Sequence, residues 1–184
     1  MKILETIDTP IGGYAPDFEL PGIDGQVHHL SRYRQDFGAV SVISMCNHCP
    51  YVSSYLERLK AIQQEFSEQG LILIGINSSG VEQDATECLN NMKLFAQKHE
   101  LNFPYLWDST QDVSRSFGSE ITPMAFLVDS NGIVCYKGQI DDSPHDVSAV
   151  NQHYLRNAIA SLFNKRKIDI PETKPVGTSL IWRN

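Results

Sequence analysis

The sequence is poor in cysteine and lacks long apolar runs. Its 184 residues include only four cysteines, too few for the disulfide framework of a small secreted protein. No apolar stretch approaches the roughly 18 residues that a membrane helix requires. Residues 1–8 carry no apolar run or cleavage site typical of a secretory signal. These absences predict a cytoplasmic protein that has no membrane partner.

Positive charge is also scarce. The chain has 15 lysine and arginine residues against 22 aspartate and glutamate residues, and its formal net charge is −7. Binding to a nucleic-acid backbone requires a basic face, so we expect no nucleic-acid partner. The length and the 41% hydrophobic content predict a single domain over residues 1–184. Because Pro171 and Pro175 interrupt the last segment, we predict that residues 168–184 form an extended tail packed on this domain.

Apolar periodicity predicts alternating strands and helices. The β-branched run over 39–44 indicates a central strand buried on both faces, and helical spacing over 50–69 indicates a helix that Gly70 ends. A strand over 71–77 then implies a parallel pair, whereas the turn over 129–132 indicates an antiparallel hairpin. We therefore predict an α/β fold in which helices flank a mixed central sheet. The other predicted elements are an N-terminal β-hairpin within 14–27, an insertion with helices over 84–100 and 110–117 and a strand over 103–107, hairpin strands over 124–128 and 133–136, and a helix over 147–163.

The sequence Cys46-Asn47-His48-Cys49 lies between the central strand and the long helix. Helix N-termini carry unpaired N–H groups and a partial positive charge, which favour a thiolate over a thiol. Since the thiolate is the nucleophile in disulfide exchange, we predict that Cys46 has a lowered pKa and attacks the substrate. Cys49, one helical turn further on, would resolve the mixed disulfide, so the two cysteines form a redox-active disulfide pair. His48 adds a group that is cationic near neutral pH and stabilises the thiolate.

A Cys-x-x-Cys pair is also half of a zinc site. Zinc normally needs a second pair of ligands at similar spacing, but Cys88 and Cys135 are isolated in the sequence. The pattern therefore favours redox chemistry, and we predict no metal and no cofactor. We interpret Cys135 as buried and inert. Cys88 could act as a third redox thiol, but we favour the interpretation that it does not. The pair at 141–142, two aspartates, indicates a turn more strongly than a metal or proton-relay site.

Five segments together resemble a known family. They are Ala15 to Phe18, Val40 to Val52, Ile121 to Asp129, Ile140 to Pro144 and Val176 to Trp182. With them the chain resembles, over nearly its whole length, the peroxiredoxin-like branch of bacterial thioredoxin-family proteins, in the alkyl hydroperoxide reductase and thiol-specific antioxidant grouping. The resemblance implies a thioredoxin-like fold in which Pro123 is a cis-proline that faces the active-site disulfide. It also implies that the backbone of Thr122 is free to pair with an extended substrate, and we predict Thr122 and Asn47 as substrate-binding residues.

The same resemblance separates two chemistries. In peroxiredoxins, a Pro-x-x-x-Thr-x-x-Cys motif and a distant Arg activate one cysteine toward peroxide, and this cysteine corresponds to Cys49. The Thr position is then Cys46, the Pro position is Val42 and the Arg position is Pro123. Because the supporting groups are replaced, we favour a thiol–disulfide oxidoreductase over a peroxiredoxin-type thiol peroxidase with an antioxidant role.

Three interpretations of function follow from these patterns. The favoured one is an enzyme that exchanges electrons with protein or small-molecule thiols and disulfides. The others are a thiol peroxidase and a non-catalytic binding module that retains the thioredoxin-like fold. One departure bears on the first: Val40 stands where thioredoxins carry a buried Asp that assists proton transfer, so the sequence does not identify a proton acceptor for Cys49.

We predict that hydrogen peroxide oxidises Cys49 no faster than it oxidises an ordinary thiol. The replacements at Val42, Cys46 and Pro123 remove the groups that polarise peroxide, and loss of such groups costs orders of magnitude in rate. Stopped-flow oxidation of the reduced protein measures this rate. Oxidation several orders of magnitude faster than that of a free cysteine would restore the peroxidase interpretation.

Overall fold

A computed structural model of the protein describes residues 8–79 and 85–183. The strands are β1 (Glu19–Pro21), β2 (Val27–His29), β3 (Ala39–Ser44), β4 (Leu71–Asn77), β5 (Tyr105–Trp107), β6 (Ile121–Thr122), β7 (Met124–Asp129), β8 (Val134–Gly138) and β9 (Thr178–Ser179). The α-helices are α1 (Leu30–Asp36), α2 (Pro50–Phe66), α3 (Ala85–Lys98), α4 (Asp112–Phe117) and α5 (Tyr154–Phe163). Short 3-10 helices cover Ser67–Gln69 and Val147–Ala149.

The central sheet has the strand order β5-β4-β3-β7-β8. Strand β3 is parallel to β4 and antiparallel to β7, so the sheet is mixed as predicted. Every residue of β3 is buried, because successive side chains point to opposite faces and both faces are covered. Val40 and Val42 join one apolar cluster, whereas Ala39 and Ile43 join the other.

Helices cover both faces of this sheet. Side chains from α2, α3 and α5 pack in the cluster on one face. The cluster on the other face contains Leu20 of β1, Leu30 of α1 and Phe117 of α4. Strands β1 and β2 pair as an N-terminal antiparallel hairpin, and α3, β5 and α4 form the insertion between β4 and β6. These features confirm the thioredoxin-like fold predicted from the sequence.

The structure differs from the predicted helices at two places. Helix α1 was not predicted, because Leu30 is its only buried residue and its sequence shows no clear apolar periodicity. The last helix starts at Tyr154 and not at 147. The preceding segment is held in other conformations: Asp146 accepts a hydrogen bond from the backbone N–H of Ser148, and Asp142 accepts one from that of Asn151. The predicted start of α3 at Asp84 lies outside the described residues.

The pair at 141–142 forms a turn that is tied to α2. Asp141 is buried and accepts hydrogen bonds from Nη1 of Arg58 at 2.9 and 2.7 Å. The same guanidinium donates to the carbonyl oxygens of Ser143 and Pro144. The geometry therefore favours the structural interpretation of this turn, which anchors the segment after β8 beside the helix that follows the two cysteines.

We predict that Arg58→Ala lowers the free energy of unfolding by about 3 kcal/mol, because removing one partner of a buried ion pair leaves an uncompensated charge. Arg156→Ala is the matched control. Its bidentate pair with Glu65 lies on the surface, so its loss should cost about 1 kcal/mol or less. Urea unfolding of both variants measures the difference, and equal losses would contradict the role assigned to Arg58.

Candidate active site

The two predicted cysteines lie in and after the turn that joins β3 to α2. Strand β3 ends at Ser44, and the backbone N–H of Met45 donates to the carbonyl of Ile76 in β4. Cys46 follows in the turn and is partly exposed. Cys49 is the N-cap of α2 and is only 2% exposed. The helix N-terminus therefore acts on Cys49, and Cys46 lies before the helix, which begins at Pro50 as predicted.

The sulfur atoms of Cys46 and Cys49 both lie beside Thr122. The Sγ atom of Cys49 donates to the carbonyl oxygen of Thr122 at 3.2 Å. The Sγ atom of Cys46 lies 3.8 Å from the Oγ1 atom of the same residue. The bond between Thr122 and Pro123 is cis, which confirms that prediction, and Pro123 is buried. The fold thus brings Cys46, Cys49 and the 122–123 segment together from distant parts of the sequence.

The C-terminal tail also reaches this site. Strand β9 pairs with β6 in the register Ile121↔Ser179 and Thr122↔Thr178. The Oγ1 atom of Thr178 lies 3.3 Å from Sγ of Cys49. The expectation that the backbone of Thr122 is free for a substrate is therefore wrong, because the protein's own chain takes that position. Sequence reasoning missed Thr178, since its contact with Cys49 spans 129 positions and no local pattern marks it.

Hydrogen bonding between the sulfurs separates their pKa values. The pKa of Cys49 is lowered to about 4, first by a hydrogen bond from Cys46 and then by bonds from the hydroxyls of Thr178 and Thr122 and the backbone N–H of Val52. Burial opposes this shift. The pKa of Cys46 is raised, first because its proton is held by Cys49 and then because it is partly buried. The predicted low pKa of Cys46 is therefore wrong.

The carbonyl of Thr122 favours the thiol form of Cys49, because a carbonyl oxygen can only accept. The Cys49 sulfur also faces several donors, which include the backbone N–H group of Val52 at the third position of α2. N–H groups of a first helical turn have no partner within the helix and stabilise negative charge. The lowered pKa favours the thiolate form of Cys49, and in that form the sulfur accepts from these donors and no longer donates to the Thr122 carbonyl.

The residues between the cysteines have different surroundings. The carbonyl Oδ1 of Asn47 accepts a hydrogen bond from the hydroxyl of Tyr105 at 2.8 Å, which ties the turn to β5. His48 is exposed, and its backbone N–H group helps to lower the pKa of Cys46. A substrate contact by Asn47 and a catalytic role for the ring of His48 stay predictions.

The remaining cysteines lie away from the pair. Cys88 is fully buried on α3, with its thiol 4.0 Å from the sulfur of Met92. Cys135 is partly buried, and its pKa is raised to about 11 by burial and by Asp129. Within residues 8–79 and 85–183, no group of His, Cys, Asp and Glu side chains could hold a metal ion. None of the helices in that part of the chain is long and apolar enough to span a membrane.

Two cysteines that lie close together beside a cis-proline, in a thioredoxin-like fold, are typical of thioredoxin-family proteins. Comparison with known families identifies the branch, because the model described as the AhpC/TSA family matches residues 11–137. This match covers well over half of the chain, so the protein belongs to the AhpC/TSA family.

The chain is also similar to a named relative and to solved structures. The thiol-disulfide oxidoreductase ResA of Geobacillus thermodenitrificans is 30% identical over 125 residues, which are 67% of this chain and 66% of that protein. The alignment thus spans just under two thirds of the relative's length. An uncharacterized conserved protein of Geobacillus kaustophilus has a TM-score of 0.86 and 31% identity, covering 95% of this chain and 93% of that one. For a hypothetical protein of Sinorhizobium meliloti 1021 the TM-score is 0.86, the identity 28% and the coverage 96% of both chains.

We predict that the reduced protein carries one thiolate at neutral pH and loses it as the pH falls through the pKa of Cys49, about 4. Ultraviolet thiolate absorbance measured from acid to neutral pH reports this transition. Cys46→Ala removes the largest cause of the lowered pKa and should move the midpoint to higher pH. Thr178→Val removes a smaller one and should move the midpoint less.

Cys135→Ala is the control for this titration, because a thiol whose pKa is about 11 is protonated throughout that range. Its absorbance curve should match that of the unchanged protein. A wild-type protein that gains its first thiolate only near the ordinary cysteine pKa of about 8.5 would contradict the assignment.

Proposed function

We propose that the protein is a thiol–disulfide oxidoreductase in which Cys46 and Cys49 alternate between dithiol and disulfide. The observation that carries this proposal is the placement of both sulfurs against Thr122, with Sγ of Cys49 3.2 Å from its carbonyl oxygen and Sγ of Cys46 3.8 Å from its hydroxyl oxygen. Membership of the AhpC/TSA family and likeness to a thiol-disulfide oxidoreductase support it. The predicted cytoplasmic location stays a prediction.

Differences in exposure and pKa assign a role to each sulfur. Cys46 is the more exposed and attacks one sulfur of a disulfide substrate, while its proton passes to the thiolate of Cys49. This step forms a mixed disulfide on Cys46 and releases the first product as a thiolate. Cys49 then attacks Cys46, the Cys46–Cys49 disulfide forms, and the proton of Cys49 leaves with the second product thiol. Two electrons pass from the protein to the substrate.

This scheme also supplies the proton acceptor that the sequence left open. Val40, at the position of the buried Asp of thioredoxins, lies in an apolar cluster and cannot take a proton. In the proposed scheme the proton of Cys49 goes to the departing thiolate, so no buried carboxylate is required. A dithiol reductant then returns the pair to the reduced state.

A thiol peroxidase is the second candidate, because the chain belongs to the AhpC/TSA family and its sequence resembles the alkyl hydroperoxide reductase and thiol-specific antioxidant grouping. Val42, at the position of the peroxiredoxin Pro, lies in the same apolar cluster as Val40. Cys46 and Pro123, which take the positions of the peroxiredoxin Thr and Arg, supply no hydroxyl or guanidinium group. The favoured candidate is therefore the oxidoreductase, and the rate of oxidation by peroxide decides between them.

We predict that Cys49→Ser traps the first step of the reaction. With hydroxyethyl disulfide as substrate and dithiothreitol as reductant, Cys46→Ser should lose turnover to the level of the uncatalysed exchange. Incubated with hydroxyethyl disulfide in the absence of dithiothreitol, Cys49→Ser should accumulate one hydroxyethylthiol adduct on Cys46, because the resolving sulfur is missing. Mass spectrometry of the digested protein locates the adduct.

Cys135→Ser is the matched control, since it removes a partly exposed thiol outside the site, and it should keep full turnover. Turnover that persists in Cys46→Ser would contradict the assigned nucleophile. A wild-type protein that binds disulfides without turning them over would support the binding-module interpretation.

A further inference from the structure

The tail segment 176–183, here called the C-terminal strap, lies along the edge at which an extended substrate was expected. Thr178 of the strap is paired with Thr122, and the backbone N–H of Leu180 donates to the carbonyl of Glu120 at 2.8 Å. Gly177 permits this approach, because a Cβ atom there would lie 2.1 Å from the carbonyl oxygen of Thr122. The strap thus makes the antiparallel strand contacts that a bound peptide would make.

Contacts beyond the active site hold the far end of the strap. Gln111 donates from Nε2 to the carbonyl of Ile181 at 2.9 Å, and its Oε1 accepts from the backbone N–H of Arg183 at 2.7 Å. The guanidinium of Arg115 lies 4.3 Å from the ring centroid of Trp182. These contacts attach the strap to the start and the middle of α4.

The chain just before the strap is also attached. The backbone N–H of Thr173 donates to the carbonyl of Lys137 at 3.0 Å, and its side-chain Oγ1 accepts from the backbone N–H of Gln139 at 2.8 Å. A Cβ atom on Gly138 would lie 2.2 Å from the Oγ1 of Thr173, so the two segments approach closely. Contacts with the rest of the domain therefore hold the strap in place at both of its ends.

A strand that is held at both ends competes strongly with an extended peptide substrate for pairing with β6. Its effective concentration at β6 is that of an intramolecular partner, about millimolar or higher. A polypeptide substrate would have to displace it before pairing with Thr122. A small disulfide needs no strand pairing and can react at Cys46, which is partly exposed.

We propose, on the basis of the proposed function, that the C-terminal strap occupies the peptide-binding edge and makes the protein selective for low-molecular-weight disulfides over polypeptide disulfides. Cys46 accepts the small disulfide by the two-step exchange described above, and a dithiol reductant regenerates the pair. The strap contributes the Thr178 hydroxyl to Cys49 and excludes extended chains by the same strand pairing.

The test compares turnover of hydroxyethyl disulfide with turnover of insulin disulfides, with dithiothreitol as reductant, in the full chain. Gly177→Val places a side chain against the Thr122 carbonyl and should displace the strap. We expect the ratio of insulin turnover to hydroxyethyl disulfide turnover to rise at least about tenfold, a difference of about 1.4 kcal/mol. Using the ratio cancels any common effect on both substrates of moving Thr178 away from Cys49.

Ser179→Val is the matched control, because it adds the same side chain two positions further on, where the residue is exposed. Its ratio should stay at the wild-type value. Trp182→Ala is a milder second variant, in which loss of the contact with Arg115 loosens the far end. It should give an intermediate ratio, and it keeps the test usable if Gly177→Val does not fold. Increased chymotrypsin cleavage after Leu180, which is buried while the strap is in place, checks that the strap has moved.

Wild-type protein that turns over insulin as readily as hydroxyethyl disulfide would overturn the proposal. So would an unchanged ratio in variants whose strap is cleaved faster. Both results would leave the oxidoreductase function intact. Absence of turnover with both substrates in all variants would instead contradict the proposed function itself.

Discussion

The sulfur of Cys49 lies between the carbonyl of Thr122 and the hydroxyl of Thr178. These two residues are paired in β6 and β9, so one short strand pair sets the surroundings of the buried sulfur. The contacts join positions separated by 73 and 129 residues along the chain. The site therefore depends on the complete packing of the sheet, the helix α2 and the tail, and no local segment could form it alone.

In this arrangement the sulfur with the lowered pKa and the sulfur that is exposed to substrate belong to different cysteines. The hydrogen bond from Cys46, followed by the Thr178 hydroxyl and the N–H of Val52 at the helix N-terminus, lowers the pKa of Cys49, a residue that is only 2% exposed. Cys46 is more exposed but keeps its proton, because Cys49 holds it in a hydrogen bond. A reduced pair of this kind is protected from indiscriminate attack, since its charged sulfur is covered. Reaction at Cys46 requires the proton to move between the two sulfurs, which are already in contact.

Strong local patterns were sufficient to predict the elements that support the site. The β-branched run of β3 and the spacing of apolar residues in α2, closed by Gly70 with a φ angle of +97°, both appear where the sequence indicated. The predicted helix start at Pro50 is confirmed, and it leaves Cys46 outside the first turn. Together with the hydrogen bond from Cys46, the helix N-terminus lowers the pKa of Cys49 and not that of Cys46.

The features that the sequence did not indicate have weak apolar periodicity or depend on side-chain hydrogen bonds and strand pairing. Helix α1 buries a single residue, so it has too little apolar periodicity to be recognised. The segment before α5 is non-helical because Asp142 and Asp146 accept backbone hydrogen bonds there. Thr178 is an ordinary polar residue in an extended tail, and only the pairing of β9 with β6 gives it a place beside Cys49.

The most direct test of the central claim is the redox titration of the Cys46–Cys49 couple. The protein is equilibrated with reduced and oxidised dithiothreitol or glutathione, alkylated, and mapped by mass spectrometry. We expect the two thiols to disappear together in a single two-electron transition, which changes the equilibrium tenfold for each 29.6 mV or so. Oxidation of Cys46 without Cys49, or a stable mixed disulfide in place of the internal one, would contradict the account.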